Sequence, residues 1–343
     1  MAQDHDDHDA GISRRHALQG IVWGGGVLWA VSGGLPHARA AAPTRPRIPV
    51  IVKDTTWPYW QTVLAGARKA GEDLGVDVVA LGAQSEADVD GQIAILKDAV
   101  AAGPAAVVIA PTQFAALGKP IDEAARTVKI IAIDSAADSK AMTALVATDH
   151  AQAGRMAADA LAAAIQRSYA DAEGDVAIIA GTPGVPALDQ RANGFKEQLA
   201  AKYGALDIVA HAAGDGRPAT GAKIMADLIA AHPELRGVFA SNLAMTRGAV
   251  ETLAKQGNNT TGDKINLVGF DADEGLVKFL QDGTIAAAVM QDPFRMGYDG
   301  VKTALAASRG EKVPAKVDTG AVLITKATMN SARAQELLLP KGR

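Results

Sequence analysis

Residues 48–81, IPVIVKDTTWPYWQTVLAGARKAGEDLGVDVVAL, decide the fold class, because they spell a strand, a helix and a second strand in that order. Ile48 to Lys53 is a short β-branched run, the signature of a strand buried on both faces. Apolar residues then recur near a 3.6-residue period through Val63, Ala67, Ala70 and Leu74, and Gly75 ends the helix they define. Val76 to Leu81 follows as the second strand. Two strands joined through a helix read as a βαβ unit with parallel strands.

The same alternation continues downstream. A helix is predicted over about Val89 to Ala101, a strand over Ala105 to Ala110, a helix over Phe114 to Arg126 and a strand over Lys129 to Asp134. A short apolar run, Ala144 to Ala147, closes this series. A second series places strands near Val176 to Ala180, Ile208 to Ala212, Val238 to Ala240 and Ile265 to Phe270. Its helices run over about Pro186 to Lys202, Ala219 to Ala231, Met245 to Gln256 and Asp273 to Gln281. A chain of 343 residues, 48% of them hydrophobic, is long enough for two domains with full cores. The expectation is therefore an α/β protein of two doubly wound parallel-sheet, Rossmann-like lobes with a cleft between them.

The first forty residues read differently. Ser13-Arg14-Arg15 precedes Leu18 and a glycine-rich, weakly apolar run from Ile21 to Leu35, and Ala38-Arg39-Ala40 supplies small residues for a signal peptidase. Residues 1–40 are predicted to be a twin-arginine-type signal peptide cleaved after Ala40, which sends the chain to the periplasm. A retained anchor is the alternative, but the apolar run is shorter than the ~20 residues that span a bilayer. His5 and His8 among Asp4, Asp6, Asp7 and Asp9 are assigned to this leader rather than to a metal site. A formal charge of −4 offers no broad basic surface for nucleic acid. The absence of cysteine excludes disulfides, thiol catalysis and cysteine-ligated metals.

In doubly wound sheets ligands bind beyond the carboxyl ends of the strands. After the first strand come Trp57, Tyr59 and Trp60, three aromatics in four residues of a chain with only 4% aromatics, separated by Pro58. Aromatic faces suit the C–H side of a sugar ring, while polar groups must meet its hydroxyls. Asp134, Arg191, Asn242, Asp271 and Gln291 each end or follow a predicted strand or open a helix, and such residues donate to and accept from vicinal hydroxyls. The same positions also suit helix caps for the aspartates and Asn242, and a surface helix position for Arg191. No P-loop, zinc-protease or nucleophile-elbow motif occurs, so no enzyme, cofactor or metal is expected. Gly181-Thr182-Pro183-Gly184 lacks the lysine and serine of a phosphate loop and reads as a strand-to-helix turn. His150, His211 and His232 are expected on helix or strand surfaces.

Several of these segments resemble the ribose-binding family of periplasmic proteins. Trp57-Pro58-Tyr59-Trp60 is similar to its N-P-F-F segment, Arg191-Ala192-Asn193-Gly194-Phe195 to R-x-x-G-F, and Val238-Phe239-Ala240-Ser241-Asn242 to V-F-A-x-N. Ile133-Asp134, Val268-Gly269-Phe270-Asp271 and Gln291-Asp292-Pro293 follow in the family's order. The resemblance implies the type I periplasmic binding protein fold, with a three-strand hinge near Thr148, Gln291 and Val322. It implies an N-terminal lobe of 41–148 plus 292–321 and a C-terminal lobe of 149–291 plus 322–343. It also implies that Tyr59 and Trp60 sandwich a sugar ring, that Asp134, Arg191, Asn242, Asp271 and Gln291 bind hydroxyls, and that Trp57 replaces a polar family residue. Ser135 stands where many relatives carry arginine and Leu243 where they carry an acid, which argues against ribose itself and leaves polyols, deoxysugars and inositols open. The expected protein is a monomeric receptor that closes on a small sugar or polyol and delivers it to the membrane permease of an ABC transporter. A periplasmic sensory subunit, presenting the same closed form to a chemoreceptor or histidine kinase, is the alternative. A repressor is disfavoured because no helix-turn-helix precedes Arg47.

Overall fold

The computed structural model describes residues 45–257 and 264–338, so the leader expected over 1–40 lies outside the described residues. The first series comprises β1 (Arg47–Val52), α1 (Pro58–Leu74), β2 (Asp77–Gly82), α2 (Val89–Ala101), β3 (Ala106–Ile109), α3 (Phe114–Ala124), β4 (Lys129–Ile133) and β5 (Ala144–Ala147). The second comprises α4 (His150–Tyr169), β6 (Gly174–Ala180), α5 (Pro186–Lys202), β7 (Leu206–Ala213), α6 (Pro218–Ala231), β8 (Leu235–Ala240), α7 (Leu243–Gln256), β9 (Asn266–Phe270), α8 (Glu274–Asp282) and β10 (Ile285–Gln291). The chain ends with α9 (Pro293–Ser308), β11 (Lys316–Asp318), β12 (Ala321–Thr325) and α10 (Ala332–Leu338).

The strands form two six-stranded sheets, ordered β11-β5-β4-β3-β1-β2 and β12-β10-β9-β8-β6-β7. Every pairing is parallel except β10 with β12. Each sheet reverses direction of growth at its first strand, between β1 and β3 and between β6 and β8, which opens a crevice at the carboxyl ends. The chain leaves the first sheet after β5, returns after β10 to add α9 and β11, and leaves it again at Thr319 to add β12. Val50, Ile51, Val52, Val107, Val108 and Ile109 are fully buried. A central strand covered on both faces by helices has no polar side to show.

The structure adds elements that periodicity did not reveal. Helix α4 runs twenty residues, yet its buried stripe is largely alanine, with Ala153, Ala157, Ala160 and Ala164 in place of leucine or isoleucine. Strand β10 and all elements from α9 onward were likewise not anticipated as elements. Where α4 and α5 cross, Ala151 and Gly154 of α4 meet Arg191 and Gly194 of α5 at backbone contact. A Cβ on Gly194 would lie 2.1 Å from the Ala151 carbonyl oxygen, and one on Gly154 would lie 2.1 Å from that of Arg191. This crossing fixes both His150 and Arg191, one turn away on each helix. Gly194→Ala should force the helices apart, lowering stability by about 1–3 kcal/mol in thermal or urea unfolding. Wild-type stability in that variant would mean that the crossing relaxes freely.

Candidate functional site

The site begins with a carboxylate that shapes a turn. At the end of β1, the buried Asp54 Oδ1 accepts from the Thr56 amide at 2.6 Å, the Thr56 hydroxyl at 2.6 Å and the Trp57 amide at 3.3 Å. The Pro58 ring then opens α1, since proline at the first helical position loses no intrahelical hydrogen bond. This turn brings Trp57, Tyr59 and Trp60 into the crevice. Trp57 packs against the hydrophobic cores of both sheets.

A cavity of about 160 Å³ lies between the two sheets. All eight residues singled out from the sequence line it: Trp57, Tyr59, Trp60, Asp134, Arg191, Asn242, Asp271 and Gln291. The sandwich expected from Tyr59 and Trp60 is not formed. Their rings meet edge to face, 4.9 Å apart at 87°, so they cannot offer parallel faces to one ligand. Trp60 is also 97% buried and spends its indole N–H on Glu86, at 2.7 Å.

The polar wall is built around two aspartates at equivalent places in the two sheets. Asp134 follows β4 and Asp271 follows β9, and both adopt the left-handed backbone region, with φ of 62° and 61°. Aspartate tolerates this conformation better than most residues. Neither caps a helix. Asp134 receives the Lys53 ammonium at 2.6 Å, with Ser135 bonded to both. Burial would raise the Asp134 pKa, but Lys53 overrides it and holds the carboxyl well below the usual range, helped by His150 and Arg191. Asp271 accepts from the Gln291 amide group at 2.9 Å and from its backbone N–H at 3.3 Å. Burial wins there and pushes the Asp271 pKa up, against the pull of Arg191. Burial likewise raises the Tyr59 hydroxyl, reinforced by Asp134 and Asp271.

Arg191 is buried rather than on a helix surface. Its guanidinium lies 3.7 Å over the Phe270 ring, and it donates to the Ser241 carbonyl at 3.0 Å. Asn242 does cap α7, accepting from the Met245 amide at 3.0 Å. Its amide nitrogen lies where a Cβ on Gly181 would come within 2.6 Å, so the glycine turn makes room for Asn242 instead of cradling phosphate.

Three neighbours escaped the sequence analysis. Lys53 supplies the cation that Ser135 fails to provide, but a lysine at a strand end carries no signal of a partner 81 residues away. Glu86 joins the wall, its pKa raised by burial despite Lys53. His150 corrects an expectation: it is 97% buried, not on a surface. Its Nε2 faces the Asp134 carbonyl oxygen at 2.8 Å and its Nδ1 faces the Arg191 Nε–H at 3.3 Å. A carbonyl only accepts and a guanidinium only donates, so the imidazole is neutral with its proton on Nε2. Burial and the Arg191 charge lower its pKa to about 4.

Contacts also join the loop after β3 to the loop after β6. The Phe114 amide donates to the Gly184 carbonyl at 3.3 Å, and the Gln113 side chain to the Pro183 carbonyl at 3.3 Å. No cluster of metal-ligating residues exists among the described residues.

The family model described as periplasmic binding protein domain matches residues 48–312. A ribose import binding protein of Escherichia coli is 28% identical over 288 residues, covering 84% of this chain and 93% of that protein. A carbohydrate transporter solute-binding protein of Agrobacterium radiobacter, solved with D-arabinose, is 56% identical with a TM-score of 0.83, covering 87% of this chain and all of the other. An ABC transporter solute-binding protein of Agrobacterium vitis, solved with α-D-tagatopyranose, is 29% identical with a TM-score of 0.80, covering 86% and 99%.

Proposed function

The chain belongs to the periplasmic binding protein family, and we propose that it is the receptor of a sugar ABC transporter whose ligand is a single pentose ring of the D-arabinose type. The observation that carries this is the convergence of all eight expected residues, with Lys53, on one cavity of about 160 Å³. That volume suits a single sugar ring. The ionised Asp134 accepts from a pair of hydroxyls. Arg191 and Lys53 present cations to ring or hydroxyl oxygens, the Asn242 amide nitrogen donates, and Gln291 holds the Asp271 carboxylate in place. D-Arabinose is the first candidate because it occupies the 56% identical relative.

In this mechanism the sugar stabilises the closed arrangement of the lobes, 41–148 plus 292–321 and 149–291 plus 322–343. Segments near Thr148, Gln291 and Val322 act as the hinge. The Gln113–Pro183 and Phe114–Gly184 contacts form only on closure, and the closed monomer docks on the permease. The leader over 1–40 exports the chain by the twin-arginine route. A sensory role draws no support from the relatives, whose names speak of import and transport.

Fluorescence titration of residues 41–343 with D-arabinose, D-ribose and L-arabinose tests the proposal, because Trp57 and Trp60 are the only tryptophans beyond the leader. Saturable quenching or enhancement by D-arabinose is expected. Asp271→Ala should weaken binding roughly 10- to 150-fold, the loss of a charge-assisted hydrogen bond of about 1.5–3 kcal/mol. Absence of binding to any pentose would overturn the assignment.

A further inference from the structure

We propose that the protein has a second ligand chamber behind the sugar cavity, built for a neutral hydroxylated group. The inference rests on the sugar-binding function of the first cavity. A cleft of about 660 Å³ adjoins that cavity and shares Tyr59, Leu243, Asp271 and Gln291 with it. Its own wall comes from Thr62 of α1, Arg247 of α7, Asp273 at the start of α8, Met290 of β10 and Leu337 of α10.

Among the described residues, three buried side-chain polar atoms lack any hydrogen-bond partner: Arg247 Nε, Asp273 Oδ1 and Gln291 Oε1. Arg247 and Asp273 line this chamber and not the sugar cavity, and Gln291 lines both. Gln291 is 99% buried, and its amide nitrogen is already committed to Asp271, which leaves the oxygen alone. Arg247 and Asp273 are ion-paired through Nη2 and Oδ2, so their charges cancel while one buried atom on each, Arg247 Nε and Asp273 Oδ1, is left without a partner. Leaving such atoms unsatisfied costs about 1–3 kcal/mol each.

The atoms define the ligand. Two acceptors and one donor, with no net charge between the ion-paired groups, match hydroxyls, which both donate and accept. An ammonium group could satisfy the two oxygens but not the Arg247 N–H. A carboxylate or phosphate would meet Arg247 only by facing Asp273 and the neighbouring Glu274. Met290 and Leu337 offer an apolar surface for the C–H face of the same molecule. The hydroxylated group can arrive in two ways, as the outer ring of a disaccharide whose first ring fills the inner cavity, or as a second monosaccharide. In the first case the sugar must pass Asp271 and Gln291, which line both spaces.

Calorimetric titration with D-arabinose and with an arabinose disaccharide, on wild type, Thr62→Trp and Arg247→Met, separates these sources. Thr62 is a partly exposed helix position, so tryptophan there fills the chamber without entering a core. A second D-arabinose site in wild type, or disaccharide binding, should weaken at least tenfold in both variants while the first D-arabinose site stays within about twofold. One D-arabinose site and no disaccharide binding in wild type would mean that the chamber holds only water, and would overturn the proposal. Loss of first-site D-arabinose binding in both variants would show that the spaces are one site, overturning it equally. If wild type binds no D-arabinose at all, the function assigned to the inner cavity fails first and the chamber falls with it.

Discussion

Asp134→Ala should melt far below the wild type and bind no sugar. The substitution strands the Lys53 ammonium, 96% buried, with the Ser135 hydroxyl as its remaining hydrogen-bond partner. Removing one partner of a buried ion pair costs about 3–5 kcal/mol, because the survivor has lost its water and its counter-charge. At roughly 2–4 °C per kcal/mol for a chain of this size, the melting temperature falls by about 6–20 °C. The left-handed φ of 62° adds to the loss, since alanine tolerates it less well than aspartate. Asp134→Asn separates stability from binding: asparagine keeps the backbone conformation and an oxygen for Lys53, but lacks the charge that holds sugar hydroxyls. Adding Lys53→Met to Asp134→Asn should recover melting temperature relative to Asp134→Ala without recovering binding. An Asp134→Ala protein that melts within about 2 °C of wild type would show that Lys53 finds water when its partner leaves.

The fate of Lys53 illustrates what could be seen in the sequence. Strong local patterns were legible: Val89–Ala101, Ala144–Ala147 and Pro186–Lys202 fall where the sequence places them, the first helix opened by the Asp88 cap, the second by Pro186, and the strand marked by its short apolar run. Helix α4 was not legible, since a buried stripe made largely of alanine looks weakly hydrophobic in isolation. The eight cavity residues were legible by position, as they follow strand ends or open helices, and by resemblance. Their partners were not. Lys53 meets Asp134, and His150 meets Arg191, only through sheet order and helix crossing, which no local pattern records. The edge-to-face geometry of Tyr59 and Trp60 was hidden for the same reason, because side-chain orientation depends on Glu86 across the loop.

His150 should make the protein acid-labile in a window that Asp134 does not share. In the unfolded chain a histidine titrates near its ordinary 6.5, whereas in the fold burial and Arg191 lower it to about 4. The unfolded state therefore binds the extra proton between these values, and stability is complete above 6.5 and lost as pH falls toward 4. At about 1.36 kcal/mol per pH unit, the loss over this window is roughly 3 kcal/mol. Every charged group around the ring enters the balance. Protonated Nδ1 can no longer accept from Arg191, and the new charge also faces Lys53. The Asp134 carboxylate pulls the other way, and so does its carbonyl as a hydrogen-bond acceptor. Asp134 itself, held low by Lys53, contributes stability above the ordinary carboxylate range and begins to lose it only below that, so its window lies under that of His150. Asp271 and Glu86, raised by burial, work in the opposite sense and recover stability as they protonate. These overlapping titrations make the wild-type curve ambiguous on its own. His150→Gln resolves it, because a glutamine amide can donate to the Asp134 carbonyl and accept from Arg191 without titrating. Urea unfolding of both proteins at pH 7.5 and 4.5 should show wild type losing about 2–3 kcal/mol more than the variant. Equal losses would mean that His150 remains neutral, or is already charged, throughout the range, and that Arg191 does not depend on it as an acceptor.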